Sequence, residues 1–367
     1  MKRVERKILL NPGPATTSDT VKNAMIVEDI CPRETEFGKL IEGIKKDLVK
    51  VVHGEEEYVC ALFACSGTGG LEAAITSAVP AGKKLLVIGN GAYGARMIKI
   101  AETFGIGVVK YQLDYGDYPS LSELEVLLTD EQDISHVAVV HHETTTGMLN
   151  PIQEISDLIH KYDKQIIVDC MSSYAGIPID LNNWGAEYLI SSSNKCIQGM
   201  AGLAFVIFKE SLLLELKEQK RSFYFNVYNQ YVGFEKTGQM QFTPPVQVCY
   251  ALRQAIDEYF EEGELNRWER YSSNWEALVE GLQELGLKFL LPYDQQSKIL
   301  LAVIEPDTSL YNFDRMHDFL YERGFTIYPG KGAKKSTFRL SILGDLYKID
   351  IDSFLLELRN YFEEIKA

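Results

Sequence analysis

Two short stretches decide how this chain is read: Ile166-Ile167-Val168-Asp169, and Tyr188-Leu189-Ile190 running into Ser191-Ser192-Ser193-Asn194-Lys195. In each, an apolar run too short for a helix stops at small polar or charged residues. That is the pattern of a strand buried on both faces whose C-terminal end opens onto a site. An Asp ending one such strand and a Lys following the next offer a specific pairing. A carboxylate can keep a heterocyclic nitrogen protonated, which makes the ring an electron sink. A partly desolvated lysine amine can attack an aldehyde and then move protons. Taken singly, Asp169 reads equally well as a turn cap and Lys195 as a surface residue; the pairing is what favours chemistry.

Outward from these stretches the pattern repeats. Apolar runs with strand character lie at 59–64, 85–88, 108–113, 136–140, 166–168, 188–190 and 203–208. Helical spacing falls between them at 94–103, 121–128 and 151–162, and before them at 35–52. Strands alternating with helices predict an α/β fold, a mostly parallel seven-stranded sheet covered on both faces. The character changes after Thr243. Two long helical stretches, 245–262 and 265–285, lead into strands near 288–291 and 299–303, a helix at 314–322, strands at 326–328 and 338–342, and a last helix at 349–365. This predicts a large domain over residues 1–263 and a smaller α+β domain over 264–367, with an N-terminal arm, roughly residues 1–30, that packs on the smaller one.

The 367 residues are 46% apolar, enough for such cores, and carry a net charge of −15. An acidic chain of this kind argues against nucleic acid as a partner, which calls for clustered Lys and Arg. Six dispersed cysteines without a C-x-x-C pair read as reduced thiols. The basic start is followed only by Ile8-Leu9-Leu10, which is neither a signal peptide nor a membrane span. A cytoplasmic protein without a membrane partner is the expectation.

Further motifs flank the Asp–Lys pair. Cys65-Ser66-Gly67-Thr68-Gly69-Gly70 joins a strand to an apolar helix, and its hydroxyls and helix N-terminus suit a phosphate. It lacks the Gly-Lys-Ser/Thr ending of a P-loop. Gly89-Asn90-Gly91-Ala92-Tyr93-Gly94 matches G-x-G-x-x-G, with Asp114 placed 20 residues past Gly94, so a nicotinamide dinucleotide site and a dehydrogenase stand as the rival reading. The other reading makes Tyr93 a stacking partner for an aromatic cofactor. His141-His142-Glu143 suggests a metal only weakly, because neighbours on a strand face opposite ways; no metal site is expected, and the hydroxyls of Thr144-Thr145-Thr146 fit a cofactor or substrate better. Lys331 and Arg339 are late basic positions, and Arg339 sits inside the apolar strand Phe338-Arg339-Leu340, where a guanidinium calls for an anion. No G-x-S-x-G is present.

Together these residues resemble the class V aminotransferases. The resemblance rests on Asn11-Pro12-Gly13-Pro14, Ser66-Gly67-Thr68, the run from Asn90 through Arg96, His142-Glu143-Thr144-Thr145-Thr146-Gly147, Val168-Asp169 and Ser192-Ser193-Asn194-Lys195, and extends nearly end to end. It implies a fold type I architecture, pyridoxal 5'-phosphate as cofactor, and a homodimer with active sites at its interface. Residue by residue, it implies that Lys195 carries the cofactor covalently, Asp169 pairs with its ring nitrogen, Tyr93 stacks on the ring, and Ser66, Gly67 and Thr68 hold the phosphate. Thr144 would contact the ring's O3' side, Thr243 would reach the phosphate from the partner subunit, and Arg339, with Arg33 as a second candidate, would bind the acidic group of the substrate. Within the class, the stretches from Glu143 to Pro151, Ile190 to Gly199 and Ile327 to Lys331 are most similar to the branch that moves an amino group from 2-aminoethylphosphonate to pyruvate. The alanine– and serine–glyoxylate aminotransferases are the neighbouring branch. The chain departs from the pattern at Gly69-Gly70, where bulkier residues are expected, and at Ser341, where glycine is common.

Overall fold

The computed structural model describes residues 6–330, 332 and 335–366. Strands β1 (Tyr58–Ala64), β2 (Lys84–Gly89), β3 (Gly107–Gln112), β4 (Ile134–Val140), β5 (Gln165–Asp169), β6 (Tyr188–Ser192) and β7 (Leu203–Lys209) form one sheet in the order β1-β7-β6-β5-β4-β2-β3. β7 runs antiparallel to both its neighbours; the other pairings are parallel. The seven apolar runs are thus the seven strands.

The sheet is buried on both faces, and alternation along one strand says how. Ile166 and Val168 enter one apolar core with the helices Thr35–Lys50, Ile152–Lys161 and Val246–Glu262. Ile167 enters the other core with helices α1 (Gly67–Ala78) and α2 (Ala92–Thr103). A period of two with both phases apolar appears in the sequence as an unbroken hydrophobic run. A third core gathers the C-terminal elements: the helices Glu264–Glu284 and Lys348–Glu364 pack on a four-stranded antiparallel sheet built around Leu300–Ile304 and Thr337–Ser341. Leu10 and Ala15 of the N-terminal arm are buried in that same core.

The long helices before and after Gly263 are separate because Gly263 takes φ 83°, a left-handed value that breaks the helical path. One prediction needs correcting. The single strand expected at 326–328 is two. Phe325–Thr326 pairs in parallel with Ile8–Leu9, and Tyr328–Pro329 pairs with Thr337–Ser341. The chain changes partner at Ile327, and a one-sequence pattern carries no record of which edge a strand joins.

Because β1, β2, β4, β5 and β6 point the same way, their C-terminal ends open on one rim of the sheet, where ligands bind in open α/β folds. Antiparallel β7 brings its N-terminal end, after Ala201 and Gly202, to the same rim. The helices lie close on the strands at glycines. A Cβ at Gly94 would stand 2.6 Å from the Gly89 Cα and 3.0 Å from the Ile88 carbonyl oxygen, both rigid backbone. Gly94→Ala is therefore expected to lift α2 from β2 and lower stability by roughly 1–3 kcal/mol. Urea unfolding reads this as a lower midpoint at unchanged slope; an unshifted midpoint would show that the contact yields freely.

Candidate active site

β1 runs out through Cys65 into Ser66, which begins α1 in an extended conformation and makes no side-chain capping bond. The hydroxyl and the first N–H groups of α1 face a cavity of about 420 Å³. The space exists because residues around it are small. A Cβ on Gly67 would lie 2.5 Å from the Met171 sulfur. Gly69 is held against Cys65 and Phe225, and Gly70 against Ala204 and Ile190. A bulkier residue at 69 would collide with Cys65 and Phe225, and one at 70 with the β6–β7 surface, which accounts for the departure noted at these positions.

The cavity collects residues from the rim strands. Ser66, Gly67, Thr68, Tyr93, Thr144, Asp169 and Lys195 all line it. Asp169 ends β5, is 2% exposed, and accepts the Met171 N–H on Oδ1 at 2.8 Å; among the described residues no donor reaches Oδ2. Burial pushes its pKa up to about 6, with the nearby Glu143 adding to the rise and Met171 N–H, Arg96 and Lys195 opposing it. Lys195 is pulled down by desolvation, so its neutral amine is within reach. Its Nζ donates to the Pro12 carbonyl of the arm. Gly13 is required beside it: φ is +122°, and a Cβ there would fall 2.2 Å from the lysine Nζ.

His142 also lines the cavity. It shares hydrogen bonds with Ser172 at 3.0 Å and Ser297 at 2.8 Å, and burial pushes its pKa down to about 3, so the ring is neutral. His141 faces elsewhere, bonded to Ser173 and edge-on to Trp184. Among the described residues no cluster of three or more His, Cys, Asp or Glu could hold a metal ion.

The G-x-G-x-x-G turn is explained by Glu143. This fully buried carboxylate accepts the Tyr93 and Gly94 N–H groups on Oε2 at 3.2 and 3.4 Å, and the N–H and hydroxyl of Thr145 on Oε1 at 3.0 and 2.5 Å. A Cβ at Gly91 would strike it at 2.2 Å. The glycines let a carboxylate of the protein cap α2, at the place where a dinucleotide would need its pyrophosphate. The dehydrogenase reading has no room there.

Arg339 is 5% exposed beside the cavity, donating from Nε to the Pro329 carbonyl at 3.1 Å and from Nη1 to the Thr144 carbonyl at 3.3 Å; among the described residues it pairs with no carboxylate. Ser341 is fully buried and its hydroxyl donates to the Ile299 carbonyl. Arg33 and Thr243 are exposed and stand outside this cavity; Arg33 donates to Gln239 and the Met240 carbonyl. Lys331 lies outside the described residues. Sequence reasoning assigned no role to His142, Arg96, Ser192 or Asn194, all of which line the cavity. Each stands inside a motif quoted for another residue, and that adjacency was the available signal.

Comparison with known proteins matches the family Aminotransferase class-V to residues 20–349. A 2-aminoethylphosphonate–pyruvate transaminase of Klebsiella pneumoniae is 40% identical over 356 residues, 96% of this chain and 97% of that protein. One from Lysinibacillus sphaericus is 38% identical over 355 residues, 96% of each. Among solved structures, an alanine–glyoxylate aminotransferase from Nostoc superposes with TM-score 0.89 at 26% identity, covering 98% of this chain and 96% of that one.

The raised Asp169 pKa has a sign that can be checked. Between 3.8, its ordinary value, and about 6, the folded chain binds the proton more tightly than the unfolded chain, so stability falls as pH rises through this window. In cofactor-free protein, moving from about pH 5 to about pH 7.5 is expected to cost wild type about 1–2 kcal/mol more than Asp169→Asn. Chemical denaturation at both pH values tests this; equal losses in the two proteins would mean the carboxylate is not desolvated.

Proposed function

Because the chain belongs to the class-V aminotransferase family, we propose that it is a pyridoxal 5'-phosphate enzyme that moves the amino group of 2-aminoethylphosphonate to pyruvate, giving phosphonoacetaldehyde and L-alanine. The observation that carries this is the meeting of Asp169, Lys195 and the Ser66-Gly67-Thr68 cradle in one cavity, in a chain 40% identical over nearly its whole length to transaminases of that name. The residues suit the cofactor chemically. Buried Asp169 has one carboxylate oxygen that no donor reaches among the described residues, as a pyridinium N–H requires. The cradle offers hydroxyls and the N–H groups of a helix start, as a phosphate requires.

When bound, pyridoxal phosphate supplies an electron-accepting ring conjugated to the substrate nitrogen. Asp169 would hold the proton on the ring nitrogen, and its burial would make that ion pair stronger than it would be in water. Tyr93 would provide a flat wall, and Ser66, Gly67 and Thr68 would anchor the phosphate end. Lys195 would hold the aldehyde carbon and would be freed as an amine when the substrate occupies the site. That amine, its pKa lowered by desolvation, would be the group able to take a proton from the amine-bearing carbon of the substrate and give it back. Thr144, which lines the same cavity, would contact the O3' side of the ring. The substrate has no α-carboxylate, so its phosphonate needs a cation, and Arg339, bonded only to carbonyls among the described residues, is available. Pyruvate takes the same path in reverse.

We read the assembly as a cytoplasmic homodimer in which exposed Thr243 and Arg33 complete the cavity of the partner subunit. No described helix is long and apolar enough to cross a membrane.

Absorbance spectroscopy tests the reading. Purified protein with pyridoxal phosphate is expected to absorb at roughly 410–420 nm, to shift to about 330 nm with 2-aminoethylphosphonate, and to return with pyruvate. A band that ignores the phosphonate but responds to serine or alanine with glyoxylate moves the substrate to the neighbouring branch. Lys195→Ala is expected to abolish the borohydride-reducible cofactor adduct; an adduct that persists at the active site would make another lysine the carrier.

A further inference from the structure

Among the described residues two cations line the cavity, Lys195 and Arg96. In the reading above, Lys195 is committed to the aldehyde. His142 adds no charge, since burial pushes its pKa down to about 3. Arg339 lies at the Thr144 and Pro329 carbonyls, beside the cavity. A phosphate monoester carries roughly −1.5 to −2 charges at neutral pH. The cradle itself is neutral: the hydroxyls of Ser66, Thr68 and Ser192, and a helix end worth about half a positive charge.

Arg96 stands in the right place to answer this. It is the fifth residue of α2. Its Nη1 donates to the Thr68 hydroxyl at 3.3 Å, and its guanidinium lies over the Tyr93 ring, 4.7 Å from the centroid. Among the described residues no carboxylate pairs with it, although it is near enough to Asp169 to oppose the rise in that residue's pKa. A planar guanidinium can lie on an aromatic face and still present parallel N–H groups to an anion, which a lysine cannot do.

We propose that Arg96 is the cationic partner of the cofactor phosphate, so that two arginines divide two chemically similar anions: Arg96 at the cradle takes the phosphate ester, and Arg339 at the Thr144 carbonyl takes the substrate phosphonate. This rests on the reading of the cavity as a pyridoxal phosphate site. The rival role for Arg96 is a prop behind the Tyr93 ring, acting on any aldehyde that stacks there.

The two roles part on phosphate-free cofactor. Cofactor-free wild type, Arg96→Gln and Arg96→Lys are titrated with pyridoxal phosphate and with pyridoxal, following absorbance and protein fluorescence, after circular dichroism confirms folding. The expected result is a dissociation constant for pyridoxal phosphate raised roughly 10- to 100-fold in Arg96→Gln. Arg96→Lys should recover part of the loss, and pyridoxal affinity should be unchanged. With saturating pyridoxal phosphate, Arg339→Gln should raise the KM for 2-aminoethylphosphonate far more than Arg96→Gln does. Equal weakening of both aldehydes would overturn the proposal in favour of the prop. Unchanged pyridoxal phosphate affinity with a raised KM for 2-aminoethylphosphonate would give Arg96 to the substrate instead. Wild type that binds neither aldehyde would remove the cofactor reading itself, and this proposal with it.

Discussion

A carboxylate buried at the end of a central parallel strand is costly unless something charged meets it, and the site is organised around that cost. Asp169 sits in the middle of the seven-stranded sheet, hydrogen-bonded through one oxygen only among the described residues, with its pKa pushed up to about 6. The neighbouring lysine is shifted the other way by the same desolvation. Each group is thereby displaced toward neutrality in the free protein and gains most when a ligand of the matching charge arrives. In the proposed reading, stability is given up here for a site that pulls in a protonated heterocycle and an aldehyde.

Two helix N-termini open on the same rim, and their difference decides what each does. The end of α1 is left to the cavity, with no side-chain cap from Ser66. The end of α2 is closed by the buried carboxylate of Glu143, which also fixes the backbone of Tyr93. Both look alike as glycine-rich turns between a strand and a helix. We read one as an anion site and the other as a structural joint, because a carboxylate 50 positions along the chain from Tyr93 caps the second, while among the described residues no carboxylate caps the first.

The elements outside the main sheet supply what the strand ends lack. The arm lays the Pro12 carbonyl on the Lys195 amine, and its strand Ile8–Leu9 is tied to Phe325–Thr326. The antiparallel C-terminal sheet holds Arg339 against the Thr144 carbonyl. Ser297, just ahead of that sheet's central strand, bonds His142. Movement of the C-terminal elements would therefore be felt at His142 and at Arg339 together.

Much of this was legible in the residues. The seven strands were readable because a doubly buried strand is apolar in both phases, and local composition is enough to reveal that. Asp169, Lys195, Ser66, Gly67 and Thr68 were readable because strand ends and helix starts place side chains predictably. Arg96, His142 and Glu143 were not assigned, because their roles are contacts with residues distant in sequence: Thr68, Ser297 and the α2 backbone. The split of the late strand at Ile327 was hidden for the same reason, since its two halves pair with opposite ends of the chain. Periodicity and turn chemistry are local properties that a sequence carries openly. Which charge lies beside which, and which helix end stays open, depends on segments brought together only when the sheet closes over its cores.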